Sequence, residues 1–153
     1  KTPYNCFVGP SYSDEIRAWL TWVKDDAKAK GRPPKVAFIY FDNAYGKAPI
    51  EAGRRFCKES GIELVDEEIV PGNFQDATSQ LLNMKAKGAE YAYINITTTG
   101  VSLVLKGAKA LGLSTKFGSN PYGFSEALPA VARDAAEGVT AFLEKRAAQF
   151  KGV

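Results

Sequence analysis

The 153-residue sequence contains no histidine, two cysteines and a single methionine. Without histidine, the Ser-His-Asp and Cys-His nucleophile systems, histidine general bases, histidine-ligated zinc and proximal-histidine haem are all excluded. No other group of residues in the sequence predicts a catalytic or metal site. We therefore expect a protein that is not an enzyme.

The patterns of several common sites and segments are also missing. Cys6 and Cys57 are too few for a disulfide scaffold, and either two buried thiols or one disulfide would fit them. Glycine-rich nucleotide-binding motifs are absent. No apolar run reaches the roughly 18 residues of a membrane helix. No signal peptide or initiator methionine precedes Lys1, so we expect the protein to start elsewhere.

The charged residues are numerous but nearly balanced. Lysine and arginine total 20 against 17 aspartates and glutamates, which gives a net charge of +3 scattered along the chain. This balance gives no reason to expect a nucleic acid or an acidic membrane as a partner. The length predicts one domain, which would bury roughly 68–70% of its unfolded surface without needing disulfides or metals.

Apolar runs typical of strands alternate along the chain with stretches of helical periodicity. Strands are predicted at residues 4–8, 36–40, 62–70, 91–96, 116–118 and 139–143. Helices are predicted between Ser11 and Gly31, at 46–60, between Asp76 and Gly88, at 101–111 and at 125–133, with Ser11 and Asp76 as N-caps and a helical or disordered tail at 144–153. This alternation predicts a doubly wound α/β fold, a three-layer αβα sandwich around a mostly parallel sheet.

Three loops that follow predicted strands carry polar and aromatic side chains. Because ligands of doubly wound sheets bind beyond the carboxyl ends of the strands, these loops predict a small-molecule site. The candidate residues are Asp42, Asn43 and Tyr45 after strand 36–40, Thr97, Thr98 and Thr99 after strand 91–96, and Asn120 and Tyr122 after strand 116–118. Each loop also has a purely structural explanation, since Asp, Asn and Thr cap helices and Asn-Pro-Tyr-Gly forms turns.

No cofactor is expected in this site. The run from Thr97 to Ser102 resembles the hydroxyl-rich phosphate loop of flavodoxins, which would imply a flavin. That loop should follow the first strand of the domain, whereas this run follows the fourth extended segment. A flavin carrier is therefore the less favoured alternative.

Five segments of the chain carry a resemblance to a known family. They are FVGPSYSD at 7–14, KVAFIY at 35–40 with Asp42, Tyr45 and Gly46 after it, DATSQLL at 76–82, ALGL at 110–113 and DAAEGV at 134–139. In order and spacing they resemble the second lobe of type I periplasmic solute-binding proteins. The most similar group serves branched-chain amino acid ABC importers.

The resemblance implies one half of a two-lobed trap that closes on its ligand about a hinge. Residues 4–8 and 139–143 would be the strands that cross between the lobes, and the first lobe would lie outside this chain. Tyr45 falls where the family places an aromatic contact to the ligand. Thr97 and Thr98 fall in a loop that supplies a second contact.

One position departs from the amino-acid binders of the family. Where these often carry an acidic residue for the ligand ammonium, this chain has Pro121 with neutral neighbours. A buried ammonium needs a carboxylate partner. We therefore expect a neutral or anionic solute, such as an aromatic or aliphatic carboxylate, unless Asp42 or Glu126 reaches the ligand.

The resemblance also implies a function and a place in the cell. It implies a periplasmic or extracytoplasmic protein that binds a small-molecule solute and presents it to the membrane permease of an ABC importer. The alternative is an effector-binding lobe of a sensory receptor or of a transcriptional regulator, since these proteins share the same lobe.

Overall fold

The computed structural model describes residues 9–132. Its elements are α1 (Tyr12–Ala27), β1 (Lys35–Phe41), α2 (Ala44–Lys47), α3 (Ile50–Ser60), β2 (Glu63–Val70), α4 (Thr78–Ala86), β3 (Tyr91–Asn95), α5 (Thr98–Ala110), β4 (Lys116–Ser119) and α6 (Leu128–Ala132). The predicted crossover strands 4–8 and 139–143 and the predicted tail 144–153 lie outside the described residues. Within residues 9–132, no helix has the length and apolarity needed to cross a bilayer.

β1 lies inside the sheet because its sequence is apolar almost throughout. Every residue of β1 except Lys35 is buried. The strand order is β2-β1-β3-β4, and all neighbouring strands are parallel. Parallel strands require crossover connections, which place helices over both faces of the sheet. We call the edge at which β1, β3 and β4 end the carboxyl edge, and the opposite one the amino edge.

Helices cover the sheet on two sides, as the predicted three-layer sandwich requires. On one face, α1 and α3 pack against a core that includes Phe38 and Tyr93. On the other face, α4 and α5 pack against a core that includes Ile39 and Ile94. Neighbouring residues of β1 and of β3 thus belong to different cores, as expected of strands buried on both faces. The predicted doubly wound α/β fold is confirmed.

The start of α1 follows its sequence signal. Ser11 is the N-cap, as predicted, and its side chain accepts a hydrogen bond from the Asp14 backbone N–H at 3.2 Å. The predicted cap of α4 is wrong by one residue, because Ala77 occupies the N-cap position. The Asp76 carboxylate instead accepts hydrogen bonds from the backbone N–H and hydroxyl of Thr78.

The helix predicted at 46–60 is divided in two. Asn43 caps α2 before the predicted start, and α2 ends at Lys47. Pro49, which has no backbone N–H to continue α2, takes the N-cap position of α3. Gly46 lets α2 approach β1 closely, since a Cβ atom at this position would lie 2.6 Å from the backbone nitrogen of Phe41.

The boundaries of the two later helices also differ from the prediction. The helix predicted at 101–111 begins three residues earlier, because α5 spans Thr98–Ala110. The helix predicted at 125–133 is shorter within the described residues, where α6 spans Leu128–Ala132. In both cases the element exists where it is predicted and only its ends move, as is usual for helix termini.

Candidate functional site

The three predicted loops meet at the carboxyl edge because their strands are parallel and in register. Tyr40 near the end of β1 lies beside Asn95 of β3, and Ile94 of β3 lies beside Ser119 of β4. The loops that follow these strands therefore begin next to one another. All eight predicted site residues lie in these loops or in the first turn of the helices that follow them.

Three tyrosines form an aromatic cluster at this edge, which we call the tyrosine triad. The ring of Tyr12, from the start of α1, lies 5.4 Å from the ring of Tyr45 and 6.4 Å from that of Tyr122. Tyr45 and Tyr122 are 6.3 Å apart and nearly perpendicular, at 89°. Such edge-to-face arrangements are favourable for aromatic rings. Tyr122 is 64% exposed, so the triad presents an aromatic surface to the outside of the lobe.

A buried network of amides holds the triad in place. Asn120, which is only 1% exposed, donates from Nδ2 to the Tyr45 hydroxyl at 2.9 Å and to Asn95 Oδ1 at 2.6 Å. Its Oδ1 accepts from the Gly123 backbone N–H at 3.0 Å. Asn95 Nδ2 donates to the carbonyls of Tyr45 at 2.9 Å and Gly46 at 3.0 Å. Tyr45 is therefore fixed at both its backbone and its hydroxyl.

Asp42 and Asn43 both make local contacts that stabilise the fold at this edge. The exposed Asp42 carboxylate forms an ion pair with Lys47, one turn further along the chain. Asn43 caps α2, since its Oδ1 accepts from the Gly46 backbone N–H at 2.8 Å. Of the three residues predicted in this loop, only Tyr45 joins the aromatic cluster.

Of the three threonines, one stabilises a neighbouring loop and two leave their hydroxyls exposed. Thr98 Oγ1 donates to the Tyr122 carbonyl at 2.8 Å and lies 2.8 Å from the Ser125 hydroxyl. Thr98 therefore positions the loop that carries Tyr122. The side chains of Thr97 and Thr99 are exposed and make no hydrogen bond within residues 9–132, which leaves both hydroxyls available at the edge.

The sequence of a known family matches almost the whole chain. A family model described as "Periplasmic binding protein" covers residues 1–147. The chain belongs to the periplasmic binding protein family. The resemblance drawn from the five sequence segments is therefore confirmed, and this is a family of solute-binding proteins.

Individual relatives agree with the family assignment. A Leu/Ile/Val-binding protein homolog 7 of Brucella abortus is 38% identical over 56 residues, which cover 37% of this chain and 14% of that protein. A branched chain amino acid ABC transporter protein of Thermus thermophilus, solved with bound valine, is 31% identical with a TM-score of 0.75, covering 82% of this chain and 32% of that one.

Solved structures of lower sequence identity share the fold. An ABC transporter substrate binding protein of Aeropyrum pernix has a TM-score of 0.76 at 20% identity, covering 95% of this chain and 44% of that one. A fatty acid ABC transporter substrate-binding protein of Thermomonospora curvata has a TM-score of 0.73 at 16% identity, covering 82% and 32%. The chain thus spans less than half the length of each relative named here.

Two tyrosines of the triad of this periplasmic binding protein lobe, Tyr12 and Tyr45, have a raised pKa and are neutral at ordinary pH. Burial raises the pKa of the Tyr45 hydroxyl, and the hydrogen bond from Asn120 opposes this only in part. Burial is also the main cause that raises the pKa of Tyr12, with smaller contributions from Tyr122 and Glu15. Both phenols stay protonated, so they offer aromatic faces and O–H groups rather than charge.

Three residues of this edge escape the sequence prediction: Tyr12, Glu15 and Asn95. Tyr12 and Glu15 belong to a helix that precedes β1, so the rule that ligands bind after strands does not indicate them. Asn95 lies inside a predicted strand. The sequence did contain an indication that Asn95 has a specific role, because a single amide at the end of an otherwise apolar run is costly to bury without specific partners.

A cavity of 310 Å³ lies elsewhere, at the amino edge of the sheet, between residues that precede β3 and β4. Two of its three lysines form ion pairs, Lys30 with Glu90 at 2.7 Å and Lys116 with Asp26 at 2.6 Å, and the third, Lys85, donates to the Leu111 carbonyl at 3.3 Å. None of the eight predicted site residues lines it. We therefore place the candidate site at the tyrosine triad.

Proposed function

We propose that this chain is one lobe of an extracytoplasmic solute-binding protein, which delivers a small amino-acid-like or carboxylate solute to the permease of an ABC importer. The observation that carries the proposal is the tyrosine triad, an outward-facing aromatic surface fixed by buried amides at the carboxyl edge. A surface of this kind suits one wall of a ligand cleft, where apolar faces and a few fixed polar groups give affinity and orientation.

The comparisons support this function by similarity. The Thermus thermophilus protein is named as a branched chain amino acid ABC transporter with bound valine, and it shares 31% of its aligned residues with this chain. A periplasmic or extracytoplasmic location and a permease partner are proposed on the same ground, together with membership of the family. No nucleic acid takes part in the proposed function.

A second lobe is part of the proposal. Small-molecule sites usually bury about 70–90% of the ligand surface, which a single wall cannot do. We propose that a first lobe of the same protein covers the triad when the two lobes close on the ligand, and that residues 4–8 and 139–143 connect them. The chain alone is then expected to bind solutes weakly, and a large thermal shift at millimolar ligand would contradict the one-lobe assignment.

The predicted site residues take different roles in this proposal. Tyr45 and Tyr122 contact the ligand directly, and the exposed Thr97 and Thr99 hydroxyls lie at the rim. The residues that hold these groups in position are Asn43, Thr98 and Asn120. Asp42, paired with Lys47, contributes to the rim rather than to the ligand pocket.

Calorimetry on the whole two-lobed protein, with amino acids and simple carboxylates as ligands, tests the proposal. We expect Tyr45→Ala to weaken binding at least about tenfold, because an aromatic anchor in a pocket commonly contributes 2 kcal/mol or more. Trp22→Ala is the matched control, since Trp22 is another aromatic residue, 46% exposed, but contacts Tyr91 at the amino edge. Equal affinities for the two variants, or no binding of any amino acid or carboxylate, would refute the function.

A further inference from the structure

Glu15 lies on the same side of α1 as Tyr12, one member of the tyrosine triad. Tyr12, Glu15 and Trp19 are spaced at i, i+3 and i+7 on α1, so they follow one side of the helix. The ring of Tyr12 contacts Tyr45 at 5.4 Å, and that of Trp19 contacts Tyr93 at 5.3 Å. Glu15 is between these two contacts along α1, and, in addition to burial, its charge helps to raise the pKa of Tyr12, Tyr45 and Tyr93.

Two polar atoms in this region are buried without a partner. They are Oε2 of Glu15 and the hydroxyl of Tyr93, a residue that is only 1% exposed. The only other such atom within residues 9–132 is Oδ2 of Asp66, whose second carboxylate oxygen is paired with Lys87 at 2.5 Å. A buried polar group without a partner destabilises the folded state, and a buried carboxylate does so most strongly.

No cation of the described residues compensates Glu15. Two other acids near this edge are ion-paired: Asp14 with Arg17 at 3.0 Å, and Asp42 with Lys47. Burial raises the pKa of Glu15, as expected of a carboxylate that lacks a positive partner. The charge of Glu15 also adds to the effect of burial in raising the pKa of Tyr45 and Tyr93. Glu15 is therefore electrostatically coupled to residues on both sides of it.

We infer that Glu15, one turn along α1 from Tyr12 of the tyrosine triad, forms an ammonium subsite, and that the solute is a small organic molecule carrying a protonated amine. The inference rests on the proposed function and narrows its solute class from amino-acid-like or carboxylate to amine-bearing. Glu15 supplies the negative charge, and the triad supplies the electron-rich aromatic faces that attract ammonium groups. The buried Tyr93 hydroxyl is a further polar group without a partner.

Glu15 supplies the carboxylate that the loop after β4 lacks. Asn120, Pro121 and Tyr122 carry no charge. Asp42 pairs with Lys47, and Glu126 is exposed. The expectation of a neutral or anionic solute depended on the absence of a carboxylate at the site. Glu15 removes that premise, because it reaches the triad from α1 rather than from a loop after a strand.

Three ligands of one carbon skeleton separate the contributions of amine and carboxylate. The probes are valine, 3-methylbutanoate, which lacks the amine, and 2-methylpropylamine, which lacks the carboxylate. Phenylalanine, 3-phenylpropanoate and 2-phenylethylamine provide the same comparison for a larger side chain. Affinities are measured by calorimetry on the whole two-lobed protein.

We expect Glu15→Gln to weaken the amine-bearing ligands at least about tenfold and to leave 3-methylbutanoate or 3-phenylpropanoate within about twofold. Asp14→Asn is the matched control, since it removes the same charge from the neighbouring, exposed position of α1. It should leave all affinities within about twofold. Glu15→Asp, which keeps the charge, should retain part of the preference for amines.

The possible failures are distinct. If only the carboxylates bind and Glu15→Gln has no effect, the ammonium subsite is wrong while solute binding stands. If Glu15→Gln weakens all ligands equally, Glu15 has a structural role, such as pairing with Tyr93, and the inference is overturned. If none of the six ligands binds the unsubstituted protein, the proposed function itself fails. The preference of that protein for valine over 3-methylbutanoate tests the inference even if a variant does not fold.

Discussion

Replacing Gly118 with alanine should destabilise the lobe through a single collision. Gly118 is a buried residue of β4, and α1 packs so closely over it that no side chain fits. A Cβ atom added there would lie 2.6 Å from Cε2 of Trp19, and nearer still to Nε1 and Cδ1 of the same indole. The indole cannot move toward the sheet, because its ring already contacts Tyr93 at 5.3 Å.

The size of the effect follows from the displacement required. Atoms in van der Waals contact stand about 3.5–4.0 Å apart, and the nearest indole atom, Nε1, would lie 1.9 Å from the new Cβ atom, so the Trp19 ring must move outward by about 1.6 Å or more. Overpacking of this kind usually costs about 1–3 kcal/mol, and we expect about 2 kcal/mol because Trp19 is half-buried and has some room. With a urea dependence of about 1–3 kcal/mol per molar, the unfolding midpoint should fall by about 1 M.

Urea unfolding of the chain, followed by far-UV circular dichroism, measures this change. Gly72→Ala is the matched control, since a Cβ atom at Gly72 would meet nothing within 4 Å. Both substitutions reduce the entropy of the unfolded chain, which alone would stabilise the protein by about 0.4–1 kcal/mol. A Gly118→Ala midpoint equal to that of Gly72→Ala would refute the packing of α1 on β4 through Trp19.

Two further substitutions test the polar contacts of the lobe. Asn120→Asp removes the donors to Asn95 Oδ1 and to the Tyr45 hydroxyl. Each buried group left unpaired costs about 1–3 kcal/mol, so a loss under 1 kcal/mol in thermal unfolding at pH 7 would contradict the network. Hydrogen bonding to Arg32 is the main cause that lowers the pKa of Glu90 from 4.5 to about 2. Because the folded pKa is the lower one, the stabilisation is complete above the unfolded pKa and is lost as pH falls toward 2. Glu90→Gln should therefore lower stability at pH 7 and flatten the dependence of the urea midpoint on pH between 5 and 2, whereas parallel profiles for the two proteins would argue against this ion pair.

The sheet and the position of the site were predictable because they depend on local pattern. The run from Val36 to Tyr40 indicates a strand buried on both faces, and β1 is that strand. Once the strands are parallel, their following loops must share an edge, so the meeting of the Tyr45 and Asn120 loops follows from topology alone.

Other features depend on tertiary packing, and no local sequence pattern predicts them. Pro49 is compatible with the first turn of one long helix and equally with a break between two, and only the early cap by Asn43 decides between them. The Asn43 oxygen can cap a helix or contact a ligand, and its sequence neighbours do not distinguish the two. Tyr12 and Glu15 reach the edge because α1 crosses the sheet there, and the position of that crossing is set by long-range packing.

The hydrogen bonds from Asn95 and Asn120 to Tyr45 have a consequence for how this lobe can change over evolution. A substitution of either amide is expected to alter both the fold and the proposed binding wall, so natural selection cannot vary the two independently at these positions. The side chains of Tyr122, Thr97 and Thr99 are exposed at the edge and take no part in this buried network. New solute preferences should therefore arise by exchanging these outer side chains on an unchanged inner frame.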